Sequence, residues 1–272
     1  MTVSIIIPCY NAAAFVQRAV LSALAQTYRQ REIICIDNAS TDNTLQLLNQ
    51  LAHQYPQQIT VLTEIKPGAP AARNRGLATA TGKWIQFLDA DDELSPDKLT
   101  RQLQLLESNT DLLIGTPQYI DLKNAVTTLQ PWEDVCLGLA HGLRAGNTIA
   151  NLFRASAIKS VGGWQENLPF LQDLDLLFRL LKKGTKYQLD FSPSCRCYDR
   201  PSGKITQQNP AGMYAASILQ GNAINQWLTQ HEPDYWQLNK HLFYAAILRK
   251  VKLLAAYDID QAMQLARQFL PI

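Results

Sequence analysis

The stretch WIQFLDADDELSP (84–96) passes from an apolar, strand-like run into three carboxylates, Asp89, Asp91 and Asp92, and then meets Pro96. Carboxylates shielded from water are costly unless a cation neutralises them, and two Asp side chains one residue apart on a turn both reach toward one site. A divalent cation meets that need. With no His or Cys beside them, oxygen ligands favour a hard ion, Mg2+ or Mn2+, which keeps several waters and bridges to substrate phosphates. A DxD on its own reads more often as a solvated loop in which Asp92 and Ser95 help to start the next helix. DNASTD (37–42) is a second polar cluster, and as a bare turn it would use Asp42 or Thr41 to cap the following helix. PCYN (8–11) is a third.

Positioning such clusters requires strands that end together. VSIIIP (3–8) and EIICID (32–37) are short apolar runs rich in β-branched residues, as buried parallel strands tend to be. ITVLTE (59–64), WIQFLD (84–89) and DLLIGT (111–116) supply further strands. Between the first two, Val16, Val20, Ala23 and Leu24 recur at helical spacing behind Asn11 as the expected cap. APAARNRGLATA and SPDKLTRQLQLLE predict two more helices, the latter with Ser95 at its N-cap and Pro96 at its first position. The repeated β-α-β order predicts an α/β fold, one mostly parallel sheet with helices on its faces, where ligands gather at the carboxyl ends of the strands. All three polar clusters fall there. None is followed by GxGxxG or GxxxxGK[ST], so a nucleotide would be held without those loops.

From 117 to 146 the pattern loosens into loops around short helices, then NTIANLF (147–153) reads as a strand and VGGW (161–164) as a tight turn. QDLDLLFRLLKKG (172–184) reads as a helix with Leu174, Leu177, Phe178 and Leu181 on one face and Gly184 at its C-cap. KYQLDF is a further strand, and from about 210 onward helical spacing predicts two or three helices without a sheet partner.

The 272 residues are 47% hydrophobic and 18% charged, with a net charge of +2 and no polybasic run, which argues against nucleic-acid binding. MTVSIIIPCYN lacks a basic n-region and its apolar run stops at Pro8, so a cytoplasmic location is expected, with a peripheral membrane contact left open. Five cysteines, odd in number and two of them in predicted strands, suggest reduced thiols. Cys195 and Cys197 form a CxC without the second Cys or His pair that a soft metal would need.

The succession VSIIIPCYN, EIICIDNASTDNT, ARNRGLATATGKWIQFLDADD, VGGWQENL and QDLDLLFRL, over roughly residues 1 to 206, resembles the inverting glycosyltransferases of family 2, which have the GT-A fold. That resemblance implies sugar transfer from a nucleoside-diphosphate sugar to an acceptor hydroxyl, with Mg2+ or Mn2+ on the diphosphate. It implies a GT-A domain over 1–206, made of a nucleotide-binding half (1–116) and an acceptor half (117–206), followed by a helical extension (207–272). Pro8, Tyr10 and Asn11 then line the nucleotide pocket, and Asp37 and Asn38 match the pair that holds ribose and base. The family often has DD where this chain has DN, which loosens the expectation of uracil. Arg73 matches a basic residue facing the nucleotide or diphosphate, Asp91 the metal ligand, and Asp89 the first Asp of the motif, toward the donor or the ion's water shell. Arg75 reads as a surface arginine. Asp173, in the second position of the family's ED block, is the implied general base; Gln172 departs from the first position, and Asp175 reads as an exposed helix carboxylate. The positive end of the helix dipole favours an ionised Asp173. Gly163 and Trp164 are the implied acceptor contacts, Trp164 reading equally as core, and Arg200 or Lys204 is the implied residue that closes over the pyrophosphate, in a segment that reads equally as a surface loop.

The implied partners are a UDP- or dTDP-sugar, or else a GDP-sugar, and a saccharide or lipid-linked acceptor; a homodimer is left open. A catalytically silent nucleotide-sugar-binding protein is the alternative that Asn38 and Gln172 keep in view. A nucleotidyltransferase would need a Gly- and Lys-containing loop where PCYNAAAF stands.

Overall fold

The computed structural model describes residues 1–142, 144–200 and 209–271. β1 (Val3–Cys9), β2 (Arg31–Asp37), β3 (Ile59–Thr63) and β4 (Trp84–Phe87) lie parallel in the order β3-β2-β1-β4. The connections run through α1 (Val16–Leu24), α2 (Thr44–Gln54) and α3 (Ala69–Thr79). Val3, Ile5, Ile6 and Ile7 of β1 are fully buried, because a central parallel strand is covered on both faces. Burying each such side chain stabilises the fold by about 1.5–3 kcal/mol.

Register decides where the polar clusters land. Cys9 pairs with Asp37 and Ile6 with Phe87, so the residues after β1, β2 and β4 emerge at one edge of the sheet. Gly76 sets the closeness of α3 to that sheet: a Cβ there would lie 2.5 Å from Ile6 Cγ2. The absence of a side chain lets α3, which carries Arg73, lie against β1 and β2.

Past β4 the sheet is no longer uniformly parallel. β5 (Glu93–Leu94) pairs antiparallel with β9 (Tyr187–Tyr198), which runs parallel to β6 (Leu112–Ile120). β8 (Leu152–Arg154) is antiparallel to both β4 and β6, and β7 (Val126–Thr128) forms a hairpin on β6. The remaining helices are α4 (Lys98–Gln104), α5 (Val135–His141), α6 (Ala155–Ser160), α7 (Gln172–Lys182), α8 (Pro210–His231), α9 (Pro233–Ala255) and α10 (Ile259–Phe269).

Several local expectations need correction. Asn11 does not cap α1, which begins at Val16; its backbone is left-handed at φ 45°, and its Oδ1 accepts from Thr41 N at 2.8 Å. α4 begins at Lys98 rather than at Ser95 and Pro96, because those residues form the turn in which Lys98 N donates to Ser95 O. Residues 147–151 form turns before β8, since Asn147 Oδ1 takes Ala150 N at 2.8 Å and curls the backbone away from a strand. β6 continues to Ile120, and β7 and α5 give 117–146 more order than its glycines and prolines suggest.

The chain divides into two compact units, one of Met1–Pro131, Gly146–Asn167 and Arg179–Asp199, the other of Trp132–Ala145, Leu168–Phe178 and Arg200–Ile272. This division interleaves along the chain. In the second unit α8, α9 and α10 bury Ile218, Ile247, Leu254 and Ala262 against one another. The starts of α8 and α10 are set by side-chain caps: Asn209 accepts from Gly212 N at 2.8 Å, and Asp258 from Gln261 N at 2.9 Å. Among the described residues no helix is long and apolar enough to cross a membrane.

Candidate active site

The turn after β2 holds Asp37 and Asn38, both buried. Asn38 donates both amide hydrogens, to Glu64 O at 2.9 Å and Lys66 O at 2.7 Å, and its Oδ1 accepts from Gly68 N at 2.8 Å. It therefore straps down the loop that leads into α3. Only an amide can do this, because an aspartate has no donor to offer two carbonyls. Asp37 differs. Its Oδ2 takes Ser40 N at 3.4 Å, whereas its Oδ1 is buried without a hydrogen-bond partner. An unmatched buried acceptor is costly and marks a place where a ligand's hydroxyl or N–H would fit. Tyr10 stands exposed beside this turn, Pro8 is half-buried, and Asp42 is structural, accepting from Thr44 N at 2.9 Å and Ala13 N at 3.1 Å.

At the tip after β4 three carboxylates occupy three environments. Asp89 pairs with Arg73 at 2.8 Å. Asp92 is buried, with Tyr198 N donating to its Oδ1 at 2.8 Å; desolvation, reinforced by Cys197, Asp91 and Asp89, pushes its carboxyl up to about 10. Asp91 lies between them, half-buried, its backbone carbonyl held by the Arg18 guanidinium.

Arg73 is only 7% exposed, and its guanidinium lies over the Trp164 ring, 4.6 Å from the centroid. That ring is itself buried, edge-on to Phe87 at 5.1 Å between centroids. Trp164 thus packs under Arg73 rather than presenting an open face to a sugar. Gly163 shares in the same construction: its φ is 70°, and a Cβ would come within 2.7 Å of Asn74 Oδ1. That oxygen accepts from Trp164 N at 2.9 Å, while Asn74 Nδ2 donates to Trp164 O at 2.9 Å. Asn74 and Arg18 are residues that sequence reasoning passed over. Asn74 was legible only as the neighbour of Arg73 in ARNRG. Arg75 is exposed, as expected.

Asp173 belongs to the second unit, at the start of α7, where its Oδ1 accepts from Leu174 N at 3.0 Å. Gln172 donates to Leu168 O at 3.0 Å, and Asp175 is half-buried rather than exposed. Lys204 lies outside the described residues; Arg200 is half-buried at their edge.

Among the described residues no group of three or more His, Cys, Asp or Glu side chains is arranged to hold a metal ion. A magnesium-like ion that draws most of its oxygens from phosphates and water needs no such cage. The donor set fits that mode: Asp91 and Asp89 are hard oxygen ligands one residue apart, and Arg73 pairs with Asp89. A cleft of about 700 Å3 adjoins the tip on its α1 side, lined by Gln17, Arg18, Ser22, Glu93 and Arg196 among others. Asp37, Arg73, Asp89 and Asp91 are absent from its walls, so it is distinct from the site built here.

Comparison with known proteins places this geometry. The profile of Glycosyl transferase family 2 matches residues 4–160. An uncharacterized glycosyltransferase of Nostoc sp. is 38% identical over 122 residues, covering 45% of this chain and 37% of its own length. The chain spans 37%, 49% and 60% of the first three curated relatives it matches. Among solved structures, Staphylococcus aureus TarS 1–349 in complex with UDP-GlcNAc aligns with a TM-score of 0.69 at 16% identity, over 99% of this chain and 91% of that one. The mannosyltransferase PcManGT of Pyrobaculum calidifontis, in complex with GDP-Man and Mn2+, gives 0.59 at 18% identity, over 98% and 79%. At such identities the likeness is one of fold, a GT-A-type sheet with C-terminal helices. The chain belongs to glycosyl transferase family 2.

Proposed function

We propose that the protein is a metal-dependent, inverting glycosyltransferase that moves a sugar from a nucleoside diphosphate to an acceptor hydroxyl on a saccharide or lipid-linked molecule. The observation that carries this reading is the unmatched Asp37 Oδ1 at the same sheet edge as the Asp89–Asp92 tip. One end offers an acceptor to a nucleoside, the other a hard ligand for a diphosphate-bound ion. The nucleotide sugars in the TarS and PcManGT complexes support the donor class, and the Mn2+ in PcManGT supports the metal.

In this reading Asp37 takes a hydrogen bond from the nucleoside, and Asn38 fixes the loop that borders it. Arg73, immobilised between Asp89 and Trp164, sets the charge beside the diphosphate. Asp91 would hold Mg2+ or Mn2+, which when bound stabilises the charge on the departing diphosphate. Asp173 takes the acceptor's proton as its oxygen attacks from the opposite face. The GT-A domain would run over 1–206 and the helical extension over 207–272, working at the cytoplasmic face of a membrane.

A panel of UDP-, dTDP- and GDP-sugars, assayed for nucleoside diphosphate release with Mn2+ and with EDTA, tests the reading. One donor should turn over with Mn2+ and stop with EDTA. Asp173→Asn should fold, keep thermal stabilisation by that donor, and lose about 10³-fold in transfer. Donor binding without turnover under every metal and acceptor condition would instead identify a silent nucleotide-sugar binder.

A further inference from the structure

Three polar residues of one helix face meet the backbone of one segment, in order. Arg18, Ser22 and Gln26 follow one another at steps of four, the last just beyond the end of α1, so they share a face. The Arg18 guanidinium donates to Asp91 O. Ser22 Oγ accepts from Leu94 N at 3.1 Å. Gln26 donates through Nε2 to Ser95 O at 2.8 Å and accepts through Oε1 from Leu99 N at 3.2 Å. Every contact is to main chain, so the ladder fixes the path of residues 91–99 whatever their side chains do.

Arg18 is the member that reaches the metal-binding position. Its guanidinium also lies over the Tyr198 ring, 3.9 Å from the centroid. Tyr198 in turn donates from its N–H to Asp92 Oδ1 and from its hydroxyl to Glu93. Residues 91, 92 and 93 are therefore each held by Arg18 or by the aromatic residue that Arg18 covers. The arrangement has a cost, since Arg18 Nε is buried without an acceptor. A lysine would avoid that cost but would lose the planar stack on Tyr198.

We propose that Arg18 is a positioning residue for metal-assisted donor binding. It fixes the Asp91 backbone, and so the position from which the Asp91 carboxylate extends, while Ser22 and Gln26 anchor the rest of the segment. The proposal rests on the glycosyltransferase reading above, and its test separates the two.

Wild type, Arg18→Gln, Arg18→Lys and Ser22→Ala are titrated with MnCl2 at fixed UDP, and in parallel at fixed GDP, reading the thermal shift. In Arg18→Gln the Mn2+ concentration for half-maximal shift should rise about tenfold, whatever the fall in ligand-free melting temperature. Arg18→Lys should fall between, because it keeps a donor and loses the stack. Ser22→Ala should lower the ligand-free melting temperature and leave the Mn2+ midpoint in place. If Arg18→Gln fails to fold, Arg18→Lys carries the same readout. Wild-type midpoints in the folded Arg18 variants, or an equal rise in Ser22→Ala, would overturn the positioning role and leave the glycosyltransferase reading standing. A wild-type protein that neither nucleotide stabilises with Mn2+ would overturn the donor-site reading, and this proposal with it.

Discussion

After β2 the chain sets Asp37, Asn38, Ser40, Thr41 and Asp42 within six residues, and after β4 it sets Asp89, Asp91, Asp92 and Glu93 within five. In the first cluster the polar groups mostly hold backbone. Asn38 clamps the loop before α3, Asp42 binds the amides of Thr44 and Ala13, and Thr41 N goes to Asn11. What remains unmatched is one oxygen, Asp37 Oδ1. In the second cluster the acidic residues differ in what surrounds them: Asp89 is paired with an arginine, Asp92 is buried, and the backbone carbonyl of Asp91 is held by Arg18. Polar density in a sequence thus overstates the number of ligands.

That contrast can be broken residue by residue. Asp37→Ala removes the unmatched acceptor, so nucleotide affinity should fall about 10- to 100-fold, the worth of a hydrogen bond to a charged group. Titrating UDP and GDP in the presence of Mn2+ checks it, and unchanged affinity would mean that Asp37 is only structural. Asn38→Asp should act on the fold instead. It sets an acceptor against the carbonyls of Glu64 and Lys66 and should destabilise the protein by about 3 kcal/mol in urea unfolding. A variant as stable as wild type would show that the amide is not the strap.

A charge of opposite sign, a few residues beyond the tip, extends the comparison. Lys98 is fully buried, donating to Gln86 at 2.6 Å and to Gln102, and burial brings its ammonium down to about 7. The unfolded chain keeps this proton up to about 10.4. Between those values the unfolded state binds more protons, so stability should rise with pH, by about 1.4 kcal/mol per unit at most, and be lost again as pH falls toward 7. Lys98→Met should flatten that rise in unfolding curves taken from pH 7 to 10.

The parallel half of the sheet was readable because continuous apolar runs buried on both faces leave little ambiguity, and VSIIIP and EIICID appear as β1 and β2 with a residue added at one end. The half beyond β4 was less readable. Asn147 turns an apolar stretch that would otherwise extend, and β6 and β9 run past their apolar cores because each pairs with the other. At the site, residue types announced a cation and a nucleotide, but the work of Asn38, Asn74, Trp164 and Arg18 depends on contacts between residues far apart in the chain. No local pattern encodes those. The spacing of Arg18, Ser22 and Gln26 did carry a signal, polar residues at steps of four along α1 and just past its end.

The central claim is that Asp91, alone of the three carboxylates at the tip, binds the ion that holds the diphosphate. Calorimetric titration of UDP and GDP with and without Mn2+ into wild type, Asp91→Asn and Asp92→Asn tests it most directly. The account predicts that Asp91→Asn loses about 100-fold in Mn2+-dependent nucleotide affinity, while Asp92→Asn, at a buried side chain that accepts from Tyr198 N, stays close to wild type. Wild-type affinity in Asp91→Asn, or an equal loss in Asp92→Asn, would contradict it.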